Sequence, residues 1–348
     1  MIEYGKPSGP LLAHKQGFFA ENRARLAEMA RLAGIYAAQP RRGRCKNCEG
    51  PLGGPDFVKL GVGYALCPAC GHLNGCHEDT PEFCAAVYTD DGGAAYGATY
   101  AEADRAAYFR RVEDIYEPKA RFLARALEER GESLAATAVA DFGAGSGYFV
   151  AALRRAGAGR AVGFEVSERQ AALGRAMLGD AAAMVVHGLD DTARLAAETD
   201  AGLVSMIGVL EHMRSPRQVL AALAANPGVR HVYFSVPLFS ACVFLEMAFP
   251  GVFPRQLAGG HTHLYTESSI DHFCREFGFR RAAEWWFGTD MVDVYRNLLV
   301  SLADNPETAG AAPLWERSLK PALDDMQLAM DRRRLSSEVH MLLAKEGA

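Results

Sequence analysis

The run Asp141-Phe142-Gly143-Ala144-Gly145-Ser146-Gly147 constrains this chain more than any other segment. Ala138-Val139-Ala140 before it is short and apolar, as at the end of a buried strand, and residues 148–156 after it read as a helix. Glycines at alternate positions let the backbone turn sharply and pass close to a ligand. The helix start behind them offers N–H groups that lack intrahelical partners. Glu165 ends a second predicted strand over 160–164, where an acid can accept both hydroxyls of a ribose. The spacing is G-x-G-x-G, with Tyr148 where the third glycine of a dinucleotide fingerprint would fall, and no G-x-x-x-x-G-K-[ST] phosphate cradle occurs.

Two cysteine pairs set a second constraint. Cys45, Cys48, Cys67 and Cys70 form C-x₂-C-x₁₈-C-x₂-C, a spacing that reads as a zinc site. Four thiolates suit tetrahedral zinc and leave no coordination position for a substrate, so the expected metal is structural. The intervening Phe57-Val58-Lys59-Leu60 and Tyr64-Ala65-Leu66 read as a hairpin of short strands, which together make a zinc ribbon. Cys76 and Cys84 remain as buried or free thiols. No charged-then-apolar leader precedes the pairs, which favours metal over disulfides and a cytoplasmic location.

The longest apolar stretch, 232–253, contains Pro237, Glu246 and Pro250, so no membrane span is expected. The balance of 37 basic and 42 acidic residues speaks against a broad nucleic-acid surface. From 136 to 236 strands and helices alternate, the pattern of a parallel sheet covered on both faces. A helical segment occupies 1–40, the ribbon domain 41–95, the α/β domain 96–303 and a helical extension 304–348. A long helix is expected over 102–130, strands near 281–287 and 292–301, and a terminal helix over 314–343 interrupted near Pro321.

Asp-x-Gly-x-Gly-x-Gly with an acid one strand later resembles motif I of the class I S-adenosylmethionine-dependent methyltransferases. The resemblance implies an α/β fold: a Rossmann-like seven-stranded methyltransferase sheet, its last two strands an antiparallel hairpin at the sheet edge. The zinc ribbon precedes that sheet as a small domain, and the helical extension follows it. It also implies that Asp141, Gly143 and Gly145 lie by the methionine part of S-adenosylmethionine, with Ala144 and Gly147 also on the cofactor, Glu165 on the ribose and Val166 against the adenine. Asp190 would accept from the adenine amino group, and Tyr100, with Tyr96, would cover the methionine end. Ile207-Gly208-Val209-Leu210-Glu211-His212 resembles the family's Leu-Glu-His segment, with Gly208 by the sulfonium and His212 in the active-site floor.

Methyl transfer requires an aligned nucleophile and, for a hydroxyl or an acidic carbon, a base. Histidine can be neutral near pH 7, which makes His212, His261 and His263 the candidates, with Tyr265 beside them. A metal held by His261 and His263 lacks an obvious third ligand. The order of zinc ribbon, glycine loop and histidine pair resembles the methyltransferases of nucleotide-linked deoxysugars, which use a Tyr-His-Glu-His segment. Here Gly260 and Thr262 replace the tyrosine and the glutamate, so methylation at sugar oxygen stands beside methylation at carbon. The implied partner is a small-molecule acceptor, and a homodimer is a permitted assembly. Two other classes stay open: an RNA-base methyltransferase carrying a ribbon, and a non-catalytic scaffold that binds the cofactor. Near the end, Trp285-Trp286-Phe287 with Asp290, Asp293, Tyr295 and Arg296 could line a sugar site or pack an edge strand.

Overall fold

The computed structural model describes residues 1–14, 19, 21–88, 104–257 and 261–345. Its strands, in chain order, are β1 (Ile2–Tyr4), β2 (Phe57–Lys59), β3 (Val62–Leu66), β4 (Leu73–Gly75), β5 (Ala138–Phe142) and β6 (Arg160–Glu165). They continue with β7 (Met184–Val186), β8 (Leu203–Ile207), β9 (His231–Pro237), β10 (His263–Leu264), β11 (Phe279–Phe287) and β12 (Glu338–Lys345).

Eight of these form one sheet in the order β1-β11-β12-β9-β8-β5-β6-β7, and four form a second in the order β10-β4-β3-β2. In the large sheet β12 alone runs against its neighbours. Helices cover both faces, as a sheet of near-continuous apolar strands requires. Phe122, Tyr148, Phe149 and Leu153 pack on one face; Leu220, Ile270, Phe273 and Trp286 pack on the other.

Several sequence expectations change. The large sheet has eight strands rather than seven, because residues 2–4, expected in a helical segment, pair in parallel with β11. Residues 292–301, expected as a strand, lie inside the helix Asp290–Asp304. Met291, Val292, Tyr295 and Leu299 recur at helical spacing and pack together, and that period outweighs their β-rich composition. The terminal helix expected over 314–343 is interrupted at Pro321 as expected, into Ala312–Leu319 and Leu323–Asp331, but it stops at Asp331, and Glu338–Lys345 form β12 rather than helix. The C-terminal extension is therefore not wholly helical. Its last strand sits inside the sheet, with Val339 paired to both Trp286 and Val236. Such a strand is buried on both faces and lacks the alternation that would mark it.

The expected long helix is described from Arg105 and is interrupted by a π-helical turn, Val112–Tyr116. Among the described residues no helix is long and apolar enough to cross a membrane.

A chain ended after Ser336 lacks the strand that joins β9 to β11. It is expected to lose cooperative thermal unfolding, followed by circular dichroism. A dispensable extension would leave the transition intact.

Candidate functional site

A cavity of about 320 Å³ opens at the carboxyl ends of β5, β6 and β8, the side on which open α/β sheets bind ligands. Gly143, Gly145, Glu165, Val166, Asp190, Gly208 and His212 all line it. Six of them come from the ends of three parallel strands or the turns that follow, so strand order alone brings them together.

The glycine turn is held from two directions. The N–H groups of Gly143 and Ala144 donate to Phe164 O at 2.8 and 3.1 Å. Glu165 accepts from the backbone N–H of Gly145 at 2.7 Å and from those of Val166 and Ser167, each at 2.9 Å. One carboxylate thus ties the β5 turn to the β6 turn. Gly143 has φ +67°, and a Cβ there would stand 2.6 Å from Val209 Cγ2. Ala144 and Gly147 belong to the same turn without lining the cavity. Behind it the Tyr108 hydroxyl donates to Ser146 O at 2.8 Å, and Tyr108 stacks on Tyr148.

Asp141 lies beneath this turn, 2% exposed, and accepts from Ser205 Oγ at 2.6 Å. Burial pushes its carboxyl up to about 7, against the opposing pull of the Ser205 hydrogen bond. Glu211, buried in the turn after β8, is pushed up to about 8 by the same desolvation. Asp190 stands at the rim and pairs with Arg214 at 2.6 Å. Gln170, Arg214 and Cys84 line the cavity and were not foreseen; they come from helices and a loop whose sequence carries no motif. Tyr100 and Tyr96 lie outside the described residues.

The three histidines separate. The rings of His212 and His261 are 4.8 Å apart. His261 Nδ1 lies 2.9 Å from Gln256 O and donates to it. His263 and Tyr265, read as catalytic candidates, do not line the cavity; both are buried, at 1% and 0% exposure. β10 pairs antiparallel with β4, and this register sets His263 against His72, Nδ1 to Nε2 at 2.7 Å. Desolvation holds the His263 pKa well below the usual imidazole range. Tyr265 packs on His72, His263 and Phe273. Trp285, Trp286, Phe287, Asp290, Asp293, Tyr295 and Arg296 are likewise buried and line no part of this cavity. They pack the sheet edge and the helix that follows it.

Cys45, Cys48, Cys67 and Cys70 converge, with all four Sγ atoms within 4.8 Å of one another. Separations of 3.7 Å (Cys45 to Cys70) and 3.5 Å (Cys48 to Cys67) exceed a disulfide bond of about 2.05 Å. They match the roughly 3.8 Å edge of a tetrahedron around zinc with bonds of about 2.3 Å. Donors surround the sulfurs: Asn47 N and Asn74 Nδ2 to Cys45 at 3.4 and 3.5 Å, and Asn47 Nδ2 to Cys70 at 3.6 Å. The donor set and its hydrogen bonds could hold one zinc ion.

Residues 108–283, just over half of the chain, match the sequence model of a family described as a methyltransferase domain. The structure is similar to a magnesium protoporphyrin IX methyltransferase from Synechocystis with bound SAH (14% identity, TM-score 0.47, covering 76% of this chain and 100% of that one). It is also similar to an S-adenosylmethionine-dependent methyltransferase from Geobacter sulfurreducens in complex with S-adenosyl-L-homocysteine (16%, TM-score 0.39, 69% and 98%). A third similar structure is the plantazolicin methyltransferase BpumL in complex with SAH (11%, TM-score 0.46, 75% and 93%). No curated protein matches the sequence.

Two predictions follow from this geometry. Cys67→Ser is expected to lower zinc from one per chain toward zero, read by elemental analysis, and to lower the unfolding temperature. Unchanged zinc would remove Cys67 from the ligand set. Asp141 has a folded pKa near 7 against an unfolded value near 3.8. A raised carboxylate pKa gives stability that is full below about pH 4 and is lost as pH rises to about 7. Asp141→Asn should flatten that fall by up to about 4 kcal/mol, measured by urea unfolding across this range. Parallel pH profiles for the two proteins would refute it.

Proposed function

Since the chain belongs to the methyltransferase-domain family and is an S-adenosylmethionine-dependent methyltransferase, we propose that the cavity above binds the cofactor and delivers its methyl group to a sugar. The sugar is nucleotide-linked or a glycan precursor, or the acceptor is a related small molecule. The observation that carries the cofactor assignment is Glu165. A single carboxylate at the end of β6 faces the cavity while fixing the glycine turn of β5.

S-adenosylmethionine supplies a methyl group already activated on a sulfonium. The chain's own residues bind, orient and handle the proton. Glu165 takes the ribose hydroxyls, and Val166 lies along the adenine, with Asp190 at its edge. Asp141, Gly143, Ala144, Gly145, Gly147 and Gly208 surround the methionine end, where acids favour a cationic ligand. Tyr100 is kept as a further contact to that end. His212 lines the cavity, and His261 stands behind it. His261 donates its Nδ1–H to Gln256 O, which fixes the orientation of its ring. This shifts the proposed base from His263 to His212, which lines the cavity, with the His261 ring packed beside it.

The sugar class rests on the order of ribbon, glycine loop and histidine loop along the chain. The ribbon takes zinc as a structural ion, in a reducing compartment such as the cytoplasm where thiolates persist.

Glu165→Ala is expected to weaken S-adenosylmethionine binding about 10- to 100-fold by calorimetry, the loss of charge-assisted hydrogen bonds to the ribose. Labelled methyl transfer to a panel of nucleotide-linked sugars tests the acceptor class. Binding unaffected in Glu165→Ala would overturn the cofactor assignment. Wild-type binding without transfer to any sugar would overturn the acceptor.

A further inference from the structure

The turn after β8 and the loop before β10 bring three ligand-bearing side chains together beside the cavity, which one of them, His212, lines. Glu211, His212 and His261 each offer one ligand atom, and these atoms lie within 4.8 Å of one another. His212 lines the cavity wall. Glu211 Oε1 comes within 3.6 Å of where a Cβ on Gly208 would stand, which puts the carboxylate directly under a cavity-lining residue.

Two independent observations turn this cluster into a site. Glu211 is 3% exposed, and its Oε2 has no hydrogen-bond partner. A buried carboxylate oxygen left unmatched is costly, and a bound cation is one of the few groups that would satisfy it. The second observation is His261, whose Nδ1–H donates to the backbone carbonyl of Gln256 at 2.9 Å. Metal-ligating histidines regularly anchor the other ring nitrogen in this way, which fixes the tautomer and aims Nε2.

We propose that Glu211, His212 and His261 bind a divalent first-row transition-metal ion, a site separate from the four-cysteine cluster. Two imidazoles and one carboxylate suit Mn²⁺, Fe²⁺, Co²⁺ or Zn²⁺ better than Mg²⁺, which prefers an all-oxygen shell. Three protein ligands leave coordination positions open, and one of the three, His212, lines the cavity.

The inference rests on the methyltransferase reading for its consequence. An acceptor that chelates through a hydroxyl and a neighbouring oxygen would fill the open positions, as a vicinal diol, hydroxy-acid or hydroxy-ketone does. Coordination acidifies the hydroxyl. With the ion bound, His212 and His261 act as ligands rather than as the base, so the coordinated hydroxyl loses its proton to solvent, its oxygen forms the new bond to the methyl carbon, and the carbon–sulfur bond breaks to leave a neutral thioether. The site therefore favours oxygen over carbon as the methylated atom.

Mn²⁺ is the probe, because it is a poor match for a four-thiolate cluster already filled with zinc. Zinc-loaded full-length protein is titrated with Mn²⁺ and followed by electron paramagnetic resonance. The expected result is one Mn²⁺ per chain with nitrogen hyperfine coupling from imidazole. His261→Ala and Glu211→Gln should each weaken binding at least tenfold while zinc content stays at one per chain. Absence of bound Mn²⁺, a bound ion without nitrogen coupling, or equal affinity in both variants overturns the site. If a variant fails to fold, the nitrogen coupling in the wild-type protein decides alone. S-adenosylmethionine binding measured on the same sample keeps the two readings apart. Mn²⁺ binding without cofactor binding breaks the cofactor assignment and leaves the metal site standing; cofactor binding without Mn²⁺ does the reverse.

Discussion

The two backbone pairings between β10 and β4 tie the four-cysteine module to the methyltransferase-family sheet. A strand from residue 263 completes a sheet begun at residue 57, so the ribbon is sealed by the domain it precedes. The joint is polar and well matched. Gly75 N–H donates to Thr262 O at 2.7 Å, Asn47 Nδ2 to Ser269 O at 2.9 Å, Ser268 Oγ to Cys70 O at 3.0 Å and Arg217 to Asn47 O at 2.7 Å. Gly75 is required here, because a Cβ would stand 2.6 Å from the Tyr36 hydroxyl and 2.8 Å from Thr262 O. His261 lies two residues before β10, so the four-cysteine module fixes one end of the segment that brings His261 to His212.

The site is built on buried acids whose solvation the protein withholds. Asp141 and Glu211 are both driven toward the neutral form by desolvation. In a domain of marginal stability such groups are a standing cost, and they cluster where function needs a charge close at hand. Glu165 is the contrast. It has three backbone N–H donors and faces the cavity already hydrogen-bonded. Glu165 is satisfied by backbone donors, Asp141 accepts from the Ser205 hydroxyl, and Glu211 keeps one oxygen without a partner.

Much of this was legible in order along the chain. The turn 141–147, Glu165, Gly208 and His212 converge on one cavity because each follows a parallel strand, and alternation alone placed them at one end of the sheet. The four cysteines converge because short knuckles dictate their own geometry. Less legible was everything set by pairing between distant segments. β12 reads as a helix, since a strand flanked by β9 and β11 and buried on both faces loses its period of two. Residues 292–301 were misread for the opposite reason, their β-branched and aromatic content hiding a helical spacing.

His261 and His263 are two residues apart and equivalent as letters. Their roles diverge because β10 begins at 263, and its register against β4 buries one ring on His72 while the loop before it carries the other to His212. Glu211 was in plain view inside Leu-Glu-His, yet its importance depends on a partner fifty residues away. The sequence by itself determined the glycine turn, the four-cysteine cluster and the alternating α/β order, because each is encoded in residues close along the chain. Which histidines meet, which acid joins them and where the last strand inserts were decided only by tertiary structure, because hydrogen-bond register and burial between remote segments leave no local trace.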